Sequence, residues 1–111
     1  MPSVAYKGSN CDTGHACDTT VKINDGSANV IIGGNKNVAR QDDSLEDHTI
    51  AKTDLGLPYP PEPLCIDHPN QKVNEGSATV FVNDRPIARV GDSVDVDGKI
   101  TEGESSVVAG G

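Results

Sequence analysis

Gly26-Ser27-Ala28-Asn29-Val30-Ile31-Ile32 returns fifty residues later as Gly76-Ser77-Ala78-Thr79-Val80-Phe81-Val82. The element that follows returns as well. Val38-Ala39-Arg40-Gln41-Asp42-Asp43 matches Ile87-Ala88-Arg89-Val90-Gly91-Asp92 at an offset of 49, so one extra residue separates the two elements in the first copy. A degraded copy of the first element, Gly103-Glu104-Ser105-Ser106-Val107-Val108, closes the chain, and a copy of the second, Val4-Ala5-Tyr6-Lys7-Gly8-Ser9, opens it. Each unit thus runs from a V/I-A-x-x-G/D element, through a variable insert, to a G-x-x-x-V element. Three such units, at roughly 4–33, 38–83 and 87–111, predict one pseudo-threefold domain spanning residues 1–111.

Composition sets the class of that domain. Val and Ile outnumber Leu 19 to 4 among the 111 residues, and β-branched side chains favour strands. With 12 Gly and 7 Pro, long helices are excluded. Each unit should supply a short hairpin: strands over 78–82 and 87–90 around Asn83-Asp84-Arg85-Pro86, and their counterparts around Gly33-Gly34-Asn35-Lys36-Asn37. The inserts cover 10–25, 44–75 and 93–102. Pro58-Tyr59-Pro60-Pro61-Glu62-Pro63 reads as extended polyproline-like loop, and Ser44-Leu45-Glu46-Asp47 resembles a capping box that would start one helical turn. The fold class is therefore all-β, a small body of short hairpins that needs a metal, a disulfide or a partner to hold it.

A net charge of −8 repels phosphate, and 3% aromatics give no base-stacking platform, so nucleic acid is excluded as the main partner. No apolar run is long enough for a membrane span, and Met-Pro-Ser-Val-Ala-Tyr-Lys does not read as a secretory signal. The chain is accordingly expected to be made in the cytoplasm, where Cys11, Cys17 and Cys65 would be thiols or metal thiolates rather than a disulfide framework.

All three histidines fall in the inserts. His15 sits in Cys11-Asp12-Thr13-Gly14-His15-Ala16-Cys17, His48 follows Asp43 by five residues, and His68 sits in Cys65-Ile66-Asp67-His68. Loops leaving equivalent strand ends of a pseudo-threefold body converge at one pole, which should bring His15 and His48 together. Imidazole and thiolate donors there suit a closed tetrahedral Zn²⁺ site stapling loops that bury little apolar area. Taken singly, a histidine in a polar loop is more often solvated, and no C-x-x-C pair reinforces the zinc reading. The aspartates at 42, 43, 92, 95 and 97 lack the ligand series of a calcium loop and read as a solvated acidic face. Arg40 and Arg89, at equivalent repeat positions, should pair with acidic neighbours.

Two stretches carry a family resemblance. Gly8-Ser9-Asn10-Cys11-Asp12-Thr13-Gly14-His15-Ala16-Cys17 followed by Gly26-Ser27-Ala28-Asn29-Val30 resembles the opening of PAAR-repeat proteins. The run from Gly76 to Asp92 is similar to that family's most recognisable segment. The resemblance implies a conical β-structure that caps and sharpens the trimeric β-helical spike of a contractile injection machine, a phage tail or a type VI secretion system. The implied partner is the spike trimer (VgrG-like or a phage central spike) with one copy per trimer, the target membrane being touched only in passing. Assembly in a virion tail or injection apparatus would then carry the chain out of the cell.

The family's zinc site near the apex typically uses three histidines and a cysteine, and His15, His48 and His68 carry over. The cysteine does not, because it usually follows the last Gly-Asp and Gly91-Asp92-Ser93-Val94-Asp95-Val96-Asp97 contains none. Cys17 is the first candidate for the fourth ligand and Cys65 the second; Cys11, Asp95 and Asp97 rank lower, because a soft thiolate holds zinc better than a lone carboxylate. Two competing functions complete the reading: an adaptor carrying a toxic effector on the spike, and a zinc hydrolase. The latter lacks an HExxH helix, and three His with one Cys would leave no open coordination position.

Overall fold

A computed structural model describes residues 1–51 and 65–111, which contain twelve short strands and no helix. The expected polyproline segment lies outside these residues. In order the strands are β1 Ser3–Val4, β2 Asn10–Asp12, β3 Thr20–Lys22, β4 Ile31–Ile32, β5 Lys36–Asn37 and β6 His48–Ala51. They continue as β7 Cys65–His68, β8 Phe81–Val82, β9 Arg85–Pro86, β10 Ser93–Val94, β11 Gly98–Ile100 and β12 Glu104–Val108. Hairpins β4–β5, β6–β7 and β8–β9 are two-stranded, β1 pairs with β12, and β10-β11-β2-β3 form an antiparallel sheet.

The three units meet in a closed ring of backbone hydrogen bonds. The Ala5 N–H donates to the Ala88 carbonyl at 2.9 Å, Ala88 to Ala39 at 2.9 Å, and Ala39 to Ala5 at 3.0 Å. All three alanines are fully buried, and a larger side chain would push the units apart. The next positions repeat the same geometry. Gly8, Asp42 and Gly91 each have φ between 75° and 97°, turning the chain so that its N–H reaches the carbonyl of Ile23, Val73 or Ile100. Ser9 Oγ, Asp43 Oδ2 and Asp92 Oδ2 then accept the backbone N–H three residues back, from Tyr6, Arg40 and Arg89. One local device closes all three turns.

Two apolar clusters surround this ring, and the three alanines themselves belong to the second. Val4, Val38 and Ile87, which precede the alanines, pack with Val82 and Ala109 and with the partly buried Val30, Ile32 and Val107. Cys11, Leu45 and Val94, which follow them, pack with Ile23, Val73 and Ile100 in the second cluster. Each fully buried Ile or Val contributes about 1.5–3 kcal/mol. Arg40 and Arg89 do pair with acidic neighbours, each holding the carboxylate three residues on through Nε and Nη2.

Two local expectations need correction. The loop between β8 and β9 is Asn83-Asp84 alone, with Val82 opposite Arg85, so Arg85-Pro86 are strand rather than turn. Asn83 and Asp84 have φ of 53° and 64°, the left-handed pair of a type I′ turn, whose twist matches a hairpin. The β4–β5 loop has three residues, Gly33-Gly34-Asn35, and that accounts for the shift in repeat offset. The helical turn at Ser44–Asp47 does not form. Ser44 and Leu45 bridge to Lys72 and Ile23, and these partners use the backbone groups a helix would need.

Burial also separates the cysteines. Cys11 is fully enclosed, and loss of hydration pushes its thiol up to about 12, with Asp12 and Glu102 adding to the effect. Only about one molecule in ten thousand is then thiolate at pH 8. Native protein should resist iodoacetamide at Cys11 for hours and react within minutes in denaturant, as read by intact mass. Rapid native labelling at that site would contradict the burial.

Candidate metal centre

The inserts converge on one group of side chains. The 13–19 loop brings His15, β6 begins with His48, β7 ends with His68, and these two stand opposite each other in the ladder. The turn between β10 and β11 supplies Asp95. Each of the four offers a ligand atom within 4.8 Å of the others, and all are between 6% and 9% exposed. The rings form a near-equilateral triangle, with centroids 5.1–5.4 Å apart.

Close backbone approach makes this convergence possible. A side chain at Gly14, whose φ is 76°, would collide with the Asp97 carbonyl, and one at Gly98 would collide with the Asp12 carbonyl. Asp95 itself has φ 59°, held by Oδ1 accepting the Val96 N–H at 2.7 Å and by Asn74 Nδ2 donating to its carbonyl at 2.6 Å. Thr13 Oγ1 donates to the Asp18 carbonyl at 2.6 Å, and Asp18 Oδ2 accepts both the N–H and the hydroxyl of Thr49. Those two bonds hold the Asp18 carboxyl below its usual range and tie the His15 loop to β6.

The tautomers are fixed by the same kind of bond. His15 Nδ1 faces the Ala16 carbonyl at 3.0 Å and His48 Nδ1 faces the Glu46 carbonyl at 2.8 Å. A carbonyl only accepts, so both Nδ1 atoms carry protons, and a neutral ring then presents a bare lone pair at Nε2. These Nε2 atoms lie 2.9 and 2.6 Å from Asp95 Oδ2. Lone pairs do not approach a carboxylate that closely without positive charge between them. His68 Nδ1 stands 3.6 Å from Asp95 Oδ1, buried and without a hydrogen-bond partner. Burial lowers the His68 pKa, with Asp95 opposing the effect. Three imidazoles and a carboxylate with ligand atoms within 4.8 Å of one another, with carbonyls behind two of the rings, could hold a divalent cation.

The fourth position differs from expectation. Cys17 and Cys65 are bonded to each other, 48 residues apart in sequence, so neither is a free thiolate and neither belongs to the cluster. Compartment reasoning favoured thiols, but the bridge Cys17↔Ile50 and the register Ala51↔Cys65 place the two side by side. Sequence reasoning ranked Asp95 below the cysteines on ligand softness. Its place in the segment after Gly91-Asp92, where the resemblance expects the fourth ligand, does not separate it from Asp97.

Comparison with known proteins gives one family. Residues 65–111 match the family model of the PAAR motif, a stretch that includes His68 and Asp95 but not His15 or His48. No curated protein matches the chain.

Proposed function

Because this chain carries the PAAR motif at residues 65–111, we propose that it is the tip of a contractile injection spike, seated on a trimeric β-helical shaft. One observation carries the docking half of this reading. Ile31, Phe81 and Val108 occupy equivalent places in the three units, five residues after Gly26, Gly76 and Gly103, and they are 52%, 56% and 49% exposed. Their strand neighbours Val30, Ile32, Val82 and Val107 belong to one apolar cluster, distinct from the one that holds the three alanines. A threefold set of bare apolar side chains suits a partner that presents three copies of one surface. A single copy fits such a trimer in three equivalent orientations and leaves no room for a second.

In the inserts, His15, His48, His68 and Asp95 would hold one Zn²⁺. The ion would supply structural stability by stapling three loops, and four protein donors would close the sphere to substrate. The role is mechanical rather than catalytic: a rigid point takes the contraction force over a small area of target membrane, without a nucleophile or base. Delivery outside the producing cell follows from riding on the apparatus.

Phe81→Asp tests the docking face. The variant should keep its fold, because the side chain is solvated, yet lose co-purification with its trimeric spike by at least about a hundredfold in affinity. Unchanged affinity would move the base of the tip elsewhere.

A further inference from the structure

The disulfide sits where it can control the metal centre, and the argument rests on the zinc reading above. Cys17 lies two residues beyond His15 and Cys65 three residues before His68, so the bond joins the loops carrying two of the three imidazoles. The third imidazole, His48, lies on β6, whose last residue Ala51 stands opposite Cys65 and donates its N–H to the Ala16 carbonyl at 3.2 Å. All three imidazole-bearing segments therefore meet at this one covalent bond.

Two further observations bear on its use. Cys65 is exposed and Cys17 partly so, within reach of thiol reagents, whereas Cys11 is sealed and does not compete for pairing. Cys17 also has φ 77°, a backbone region that residues with a β-carbon seldom adopt. The disulfide adds a covalent tie to the hydrogen bonds that hold this backbone against β6.

We infer that Cys17–Cys65 is a redox clasp on the metal centre. In a reducing compartment the two are thiols, the loops open and close, and zinc enters and leaves. On meeting a disulfide oxidant such as oxidised glutathione, one cysteine thiolate attacks the oxidant's S–S bond to give a mixed disulfide. The second cysteine thiolate then displaces the remaining glutathione. One S–S bond forms and one breaks, two electrons pass to the oxidant, and two glutathione thiols leave with the two protons. Closure locks the loops around the ion.

The test compares zinc-loaded full-length protein in its disulfide and thiol forms, distinguished by intact mass after maleimide labelling. Transfer of zinc to a chromogenic chelator is followed in each. The disulfide form should release zinc at least about tenfold more slowly, and Cys17→Ser/Cys65→Ser should behave like the thiol form with or without oxidant. Equal rates in the two forms, or slower release from the thiol form because a thiolate has joined the ion, would overturn the clasp. If neither form retains zinc, the metal reading fails. The clasp is then judged by hydrogen exchange at residues 13–19 and 65–68. Slower exchange in the disulfide form supports it, and equal exchange overturns it.

Discussion

Asp95→Ala should lower the thermal midpoint of the zinc-loaded protein by about 15 °C or more and leave little zinc after desalting. The carboxylate lies 2.6–3.6 Å from all three imidazoles, and on the proposed reading its loss removes both a donor and the negative charge that would balance the ion. An ion present at a thousand times its dissociation constant stabilises the native state by about 4 kcal/mol, and each kcal/mol moves the midpoint of a domain this size by about 4–8 °C. Chelation of the native protein should produce a similar fall. Asp95→Cys should retain zinc, because it places a thiolate on the same turn. Scanning calorimetry with metal analysis reads both. A midpoint unmoved by either Asp95→Ala or chelator would mean that the cluster holds no structural ion.

The second large effect is expected at Asp43, outside the histidine cluster. Its carboxylate is fully buried and accepts from the backbone N–H, Nε and Nη2 of Arg40, while Arg85 Nη2 reaches the same Oδ1. Asp43→Ala would leave the largely buried Arg40 guanidinium without its carboxylate, with only Asn83 Oδ1 accepting from Nη1, and open the turn that seats Ala39 in the central ring. Removing one partner from a buried pair costs about 3–5 kcal/mol. Asp43→Asn, which keeps an acceptor for the backbone N–H, should cost less. Denaturant titration with an unchanged slope would register both. A loss under about 1 kcal/mol for the alanine variant would show that the turn closes without its carboxylate.

The asymmetry between these sites reflects what a one-dimensional pattern can carry. Threefold equivalence was legible because a backbone turn that recurs three times leaves three similar strings, and Ala5, Ala39 and Ala88 form one ring since each occupies the same slot. The turn after Val82 is legible but reads as four residues rather than two, because Arg85-Pro86 looks like punctuation until its strand partner is known. Convergence of His15 and His48 follows from inserts that leave equivalent ends, whereas His68 joins them in sequence only through the family resemblance. The identity of the fourth side chain does not follow, because Asp95 is indistinguishable in sequence from the solvated Asp97 two residues on. Only the three-dimensional turn, with φ 59° and its Asn74 contact, aims one inward. The Cys17–Cys65 bond was hidden for a related reason, being set by the pairing of β6 with β7 across an insert rather than by spacing.

The account's central claim is that one copy of this chain tips one trimeric spike. Native mass of the complex purified with its spike partner tests that most directly. The account predicts one copy of this chain, carrying one zinc and one disulfide, on three spike chains. A mass corresponding to three copies on three, or a stable homotrimer of this chain alone, would place it in the shaft and contradict the claim.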